Sequence, residues 1–414
     1  MRRQLPLEPV AAEKVEEEYE LVTLLVCDNC DYFEFKPHDR EVVYERKGKC
    51  PKCGGTLLVE GVFRTDADPS MFPSYKDVKS VERALESAGY EVKEFRVRED
   101  GSVVFHYERK GDAHRLARKL AEMKFTAEPE GKAGRLVVQR FEVPEQEPGW
   151  LALLGLSVPV FAYLGGWLAF GSTWAAVEFA LAFSAIYFGK EIAKLWVAKV
   201  EGLRPRLPFF LAVPPFPGAF SSVIRSEVRP MLVESLCRVG VAGLVAGFLL
   251  STAMFLLGSA FDHTPVRMLV WHNPWTLLLS RELGIVANPI TLAGWAGLVI
   301  TWLSALPVYP LEGGYILRYY YDTRTVKWFS VASAFIQGWL HWYHIAVATV
   351  IVLVKITAKL PSDRSFLDDD ESKSWLPALL LVALFVLLIS PAPFGLWPLE
   401  HSKVPHNLQW LFLR

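Results

Sequence analysis

From Trp150 onward, apolar residues come in blocks about as long as a bilayer is thick. The blocks lie at about 151–170, 174–198, 237–260, 286–308, 329–357 and 375–391. A helix needs about 20 apolar residues to cross the hydrocarbon layer. Backbone polar groups in lipid must be satisfied within the segment, so such blocks can only be helices or closed barrels. Their length fits helices, and residues 148–414 are expected to form a polytopic α-helical membrane domain of about six spans. One stretch, 205–224, is broken by Pro208, Pro214, Pro215 and Pro217. It is expected as a re-entrant or extended segment held between helices.

Residues before Pro148 have a different character, rich in Glu, Lys and Arg. The region from Met1 to Glu20 is charged and lacks the apolar core of a signal peptide. The formal net charge of the whole chain is -1, which gives no electrostatic reason to expect nucleic acid. Four of the five cysteines form two C-x-x-C pairs, Cys27/Cys30 and Cys50/Cys53. That spacing predicts a closed tetrahedral zinc site, with one structural Zn²⁺ holding a zinc ribbon over residues 1–65. Alternation at Tyr32–Phe35 and Glu41–Tyr44 supplies its strands. A redox dithiol reading lacks the βαβ context it needs. Residues 66–147 read as a small α/β domain of order αββαβ. Its helices lie at Asp77–Gly89 and Asp112–Lys124, and its strands at Tyr90–Val97, Val103–Tyr107 and Arg135–Val143. His106 and His114 fall there as surface or core-edge residues.

Basic residues set the expected orientation. Lys199, Arg204, Arg206, Arg225, Arg229 and Arg238 fall between the second and third blocks. By the positive-inside rule this loop is cytoplasmic, and the N-terminal domains lie on the same side of a cell membrane. Cysteines used for metal rather than disulfides fit that reducing compartment.

The motifs that carry chemistry lie inside the apolar region. One is Lys190-Glu191-Ile192-Ala193-Lys194 and another is Leu311-Glu312-Gly313-Gly314. Between them stand Gly218-Ala219-Phe220-Ser221-Ser222-Val223-Ile224, Val239-Gly240-Val241-Ala242-Gly243-Leu244-Val245-Ala246-Gly247 and Asn288-Pro289-Ile290-Thr291-Leu292-Ala293-Gly294-Trp295. In order and spacing this set resembles the site-2 protease family, the M50-type intramembrane zinc metalloproteases. The likeness is to the archaeal and chloroplast-like branch, and it covers about residues 174–322. It implies a membrane core that holds zinc through H-E-x-x-H and the Asp of L-D-G. Here those ligand positions read Lys190, Lys194 and Glu312, Glu191 keeps the general-base position, and Ser304 replaces an Asn often found before the I-P-V motif.

A lysine binds a metal only after losing its proton, which is costly at neutral pH from a reference pKa near ~10.4. Zinc sites are built from Cys, His, Asp and Glu. Without zinc, no bound water is brought towards neutrality for Glu191 to use. Two readings of the lysines stand side by side. In one, they snorkel from a helix end to the interface. In the other, they have replaced the metal and face Glu191 and Glu312, so that the charges sum to zero. The chain is accordingly expected to be a catalytically inactive homologue that binds or regulates transmembrane protein clients in the lipid bilayer. An active intramembrane zinc metalloendopeptidase with an atypical ligand set is the alternative. A transporter would favour inverted repeats, and none is visible. His341 and His344, one turn apart in an aromatic segment, are read as packing or cavity-wall residues. His263 and His272 are placed in an external loop at the interface, and Cys237 is read as a small buried residue.

Overall fold

A computed structural model describes residues 20–37, 48–65, 72–98, 101–130, 134–140, 157–203, 209–213, 218–223, 232–264, 266, 272–308, 311–340 and 374–389. The expected strand at Glu41–Tyr44, the pair His341 and His344, and most of the block at 329–357 lie outside them.

The ribbon comprises β1 (Glu20–Cys27), β2 (Phe33–Pro37) and β3 (Leu57–Thr65), in antiparallel order β2-β1-β3. Next come α1 (Tyr75–Ser87), β4 (Glu91–Val97), β5 (Val103–Arg109), α2 (Ala113–Glu122), β6 (Phe125–Pro129) and β7 (Arg135–Arg140). Their sheet has the order β4-β5-β7-β6. The domain is therefore αββαββ, one strand more than the sequence suggests. Strand β6 has only five residues and ends in a proline at the sheet edge, so alternation is too brief to register. The two αββ halves meet at their second strands, where Val103 faces Val138 and Phe105 faces Leu136. Ser74 and Asp112 cap the two helices through their side chains. Leu85, Leu116 and Leu120 are fully buried against the sheet.

Ribbon and sheet domain share one core. Phe33 of β2 meets Tyr75 edge-on at 5.9 Å and lies 6.3 Å from Phe95, while Phe35 lies 4.7 Å from Phe72. Asp31, in the turn before β2, accepts from the Tyr75 hydroxyl at 2.9 Å, pairs with Lys79 at 3.1 Å and binds Lys52.

The apolar region contributes α3 (Ser157–Phe170), α4 (Thr173–Val200), a hairpin of β8 (Phe209–Val213) and β9 (Gly218–Val223), and α5 (Val233–Leu257). It continues with α6 (Pro274–Leu283), α7 (Pro289–Ser304), α8 (Glu312–Tyr320), α9 (Thr323–Leu340) and α10 (Leu376–Leu388). The proline-broken stretch thus forms an antiparallel hairpin in its described parts. Among the described residues one helix, Val233–Ala260 with its 3-10 end, is long and apolar enough to cross a membrane by length and composition. Shorter apolar helices cover Val158–Phe170, Pro289–Ser304 and Leu376–Leu388. The block at 286–308 is shorter as a helix because Asn288 caps it: its Oδ1 accepts from the backbone of Ile290 and Thr291, and its Nδ2 donates to the Gly258 carbonyl at 2.7 Å. Pro289 then occupies the first helical position, where its missing N–H costs nothing.

Burial pushes the Asp31 carboxyl up, but Lys52, Lys79 and Tyr75 together hold it well below the usual carboxylate range. A depressed carboxyl stabilises the folded state above its unfolded value near ~3.9 and loses that contribution as pH falls. Asp31 is partly exposed, which limits the effect through solvent screening. Asp31→Asn should therefore weaken ribbon docking by up to about 1 kcal/mol at pH 7. In denaturant titrations the gap from wild type should close as pH drops below about 4.

Candidate functional site

The site is assembled on three helices. Helix α4 is capped at Ser172 and runs unbroken to Val200. Trp174, Leu181, Ile192 and Trp196 are exposed on one side, while Phe183, Tyr187, Lys190, Glu191 and Lys194 are buried. Spacing of three and four residues on a helix makes the last three neighbours. Helix α8 starts at Glu312, its first residue, which is fully buried. Helix α5 closes the third side.

Lys190 Nζ lies 3.1 Å from Glu312 Oε1 and donates to Ser304 Oγ at 2.5 Å. Lys194 Nζ lies 3.0 Å from the same Glu312 oxygen and 2.8 Å from Glu191 Oε1. The latter contact is an ion pair without hydrogen-bond alignment, and Glu191 Oε2 has no hydrogen-bond partner among the described residues. The four side chains are 2%, 2%, 1% and 0% exposed for Lys190, Glu191, Lys194 and Glu312. The ammonium groups do not reach bulk solvent, so the snorkelling arrangement is not the one adopted. A small cavity with room for about one water adjoins Lys190, lined by Phe183, Tyr187, Ile300 and Thr301.

Glycines on α5 make this closure possible. A Cβ at Gly243 would stand 2.8 Å from Lys194 Cδ and 2.9 Å from Glu312 Cγ. A Cβ at Gly247 would stand 2.6 Å from Thr301 Oγ1 and 3.3 Å from Lys190 Cδ. The small residues of the Val239–Gly247 motif therefore let the α5 backbone cover the charges. Sequence reasoning placed the charged positions but not this packing role, nor the Lys190–Ser304 bond. The signal for the second was the odd residue at position 304.

Elsewhere the expected site residues are dispersed. His272 is buried, with its ring against Thr276 Oγ1 at 3.2 Å. It packs there because Asn273 and Thr276 close the capping box of α6 beside it. His263 Nδ1 bonds the Ala287 carbonyl at 3.1 Å. Cys237 is buried in the apolar core.

The four ribbon cysteines converge at the opposite end of the chain. Their sulfurs all lie within 4.8 Å of one another, with Cys27–Cys53 at 3.4 Å and Cys30–Cys50 at 3.6 Å. A tetrahedral ion ~2.3 Å from each sulfur would set them about 3.8 Å apart, whereas a disulfide needs about 2.05 Å. Backbone N–H groups of Asn29, Lys52 and Gly55 point at Cys27, Cys50 and Cys53, each at 3.4 Å. This donor set fits zinc: four soft ligands, oriented by the backbone. Burial drives the Cys50 thiol up, but the backbone N–H groups of Cys53 and Lys52 and the Cys27 and Cys30 sulfurs bring it down to about 7.

The membrane cluster does not fit zinc. Lysines at two ligand positions are already committed to carboxylates, and α5 leaves no space at their centre. The cluster is built from paired positions on one helix and an acid from a second.

Comparison with known proteins gives several relatives. The chain is 27% identical over 225 residues to "Probable zinc metalloprotease EGY2, chloroplastic" of Arabidopsis thaliana, covering 50% of this chain and 40% of the relative. It is 24% identical over 239 residues to "Probable zinc metalloprotease EGY1, chloroplastic" of the same plant, covering 53% and 43%. A rice protein named like the first is 29% identical over 153 residues, or 33% and 28%. The chain thus spans less than half the length of the relatives it matches. No family model and no solved structure matches it. The homologues are site-2 protease family members, and this chain is similar to them over about half its length.

Three substitutions probe the cluster. Glu312→Ala strands two ammonium groups and should cost about 3–5 kcal/mol, with Lys190→Ala partly restoring stability in a double-mutant cycle. Gly243→Ala should cost about 1–3 kcal/mol by overpacking, read as a lower unfolding midpoint in detergent.

Proposed function

We propose that the chain is a catalytically inactive site-2-protease-like membrane protein that binds or regulates transmembrane clients. It crosses the cell membrane about six times, with the ribbon and αββαββ domain on the cytoplasmic side. The observation that carries this reading is the closed charge cluster. Two ammonium groups and two carboxylates fill the place where the family's zinc would sit, and they neutralise one another. Charges in so dry a place persist only when paired. Glu191 has no metal-bound water to activate and serves instead as a partner of Lys194. Zinc is restricted to the ribbon, where Cys27, Cys30, Cys50 and Cys53 bind one ion in a structural role. Client binding rests on the retained frame of α4, α5, α7, α8 and the hairpin. Basic loop residues support the orientation.

A second reading follows from Glu191, which keeps the general-base position and leaves Oε2 without a hydrogen-bond partner among the described residues. In that reading the chain is an active zinc protease with an atypical ligand set, as the relatives' names would suggest.

Metal analysis and one variant separate the two. Purified protein should hold one zinc per chain, and Cys50→Ser should lose all of it while the membrane part stays folded. Incubation with zinc and transmembrane peptides should give no cleavage that Glu191→Gln abolishes. A second zinc that survives Cys50→Ser would overturn the inactive reading.

A further inference from the structure

The αββαββ domain touches the membrane region through a chain of hydrogen bonds and ion pairs that none of its motifs announces. His114 on α2 pairs through Nε2 with Glu234 Oε2 at 2.9 Å, in the first turn of α5. Glu234 Oε1 accepts from Arg238 Nη2 at 2.6 Å, one turn further along α5. Arg238 Nη1 reaches Glu201 Oε1 at 2.8 Å, at the end of α4, and Ser235 donates to Glu201 Oε2 at 2.8 Å. The network therefore runs from the soluble domain through α5 to α4.

A second contact seats α2 on the end of α4 itself. Gly202 ends that helix at φ 77°, a left-handed conformation that glycine takes without strain. Leu203 N–H bonds the Ala198 carbonyl at 2.9 Å, completing the cap. A Cβ on Gly202 would stand 3.4 Å from Arg118 Cα, so α2 lies directly on the turn. Arg118 Nη2 donates to the Val200 carbonyl at 3.4 Å. The last carbonyls of a helix carry partial negative charge and favour such a cation. Leu232, just before α5, is buried with the soluble domain's core.

The place of this contact matters. Val200 lies six residues beyond Lys194 on α4, about 9 Å at ~1.5 Å per residue. Glu234 lies nine residues before Gly243, the glycine that covers Lys194 and Glu312. The soluble domain thus covers the same ends of the two helices that enclose the charge cluster. Its polar grip is only partly buried: Arg238 is 50%, His114 33%, Glu234 28% and Glu201 9% accessible at the side chain. Exposed pairs are individually weak and screened by salt.

We propose that the αββαββ domain is a releasable ionic cap, latched by His114–Glu234–Arg238–Glu201 and by Arg118 on the α4 terminus. The cap closes the cluster side of α4 and α5, so a partner approaching from that side must displace it. This holds whether or not the membrane site is catalytic.

Hydrogen exchange on the full-length protein in detergent tests it. Raising salt from about 0.1 M to about 1 M shortens the screening length from about 10 Å to about 3 Å. Exchange at 198–203 and 232–238 should become about fivefold faster, while β5 and β7 stay protected, because the domain leaves as a folded unit. Glu234→Gln and, separately, Arg118→Ala should produce the same change at low salt. Neither residue belongs to the charge cluster or the zinc site, so zinc content should remain unchanged. If salt and both variants leave exchange at 198–203 and 232–238 unaltered, apolar packing at Leu232 holds the domain and the latch is refuted. Loss of protection in β5 and β7 together with the helix ends would also refute it, since the domain would then be unfolding rather than releasing.

Discussion

The helical core depends on four charges that cancel where bulk water does not reach. Each of Lys190, Glu191, Lys194 and Glu312 would be prohibitive alone in so buried a place. Together they are neutral, and Glu312 Oε1 serves both ammonium groups at about the distance of a charge-assisted hydrogen bond. Such a cluster adds little net stability compared with a well-packed apolar core. What it does impose is register. Helix α8 must begin at Glu312 facing the inward side of α4, and α5 must approach with glycine rather than a larger residue.

That requirement reaches into the neighbouring helices. Ser304 closes α7 by accepting from Lys190, so α7 is also tied to the cluster. A Cβ at Gly297 would stand 2.9 Å from Ile186, and one at Gly294 2.7 Å from the Phe255 Cα, so α7 lies against both α4 and α5. A metal would supply such cross-linking in the family's usual arrangement. Here ionic side chains supply it. The polar end of α4, beyond Lys199, then becomes the seat of the soluble domain, so one helix connects the charged core to the cap.

The N-terminal half obeys different physics. The ribbon is too small to hold a core by burial alone and relies on four sulfurs brought together by two tight turns. Its aromatic face joins the core of the αββαββ domain through Phe33, Phe35 and Tyr75. The two modules therefore share one apolar interior, although composition alone divides them near residue 65.

Local chemistry was legible in the sequence wherever spacing fixed it. The C-x-x-C pairs specified which thiols meet, because two turns of that geometry can be joined by one ion. The i, i+4 lysines specified a common face, because a helix repeats every ~3.6 residues. Asn288-Pro289 specified a helix start through the cap and the missing N–H. Tertiary structure decided what spacing could not. Strand β6 exists because β7 offers it an edge, not because five residues alternate well. His114 reads as an unremarkable surface residue until Glu234, 120 positions away, is folded beside it. The lysines could have snorkelled or turned inward with equal local logic. The outcome was set by Glu312 arriving from another helix and by the absence of a side chain at Gly243, two facts that are remote in the chain and adjacent only in space.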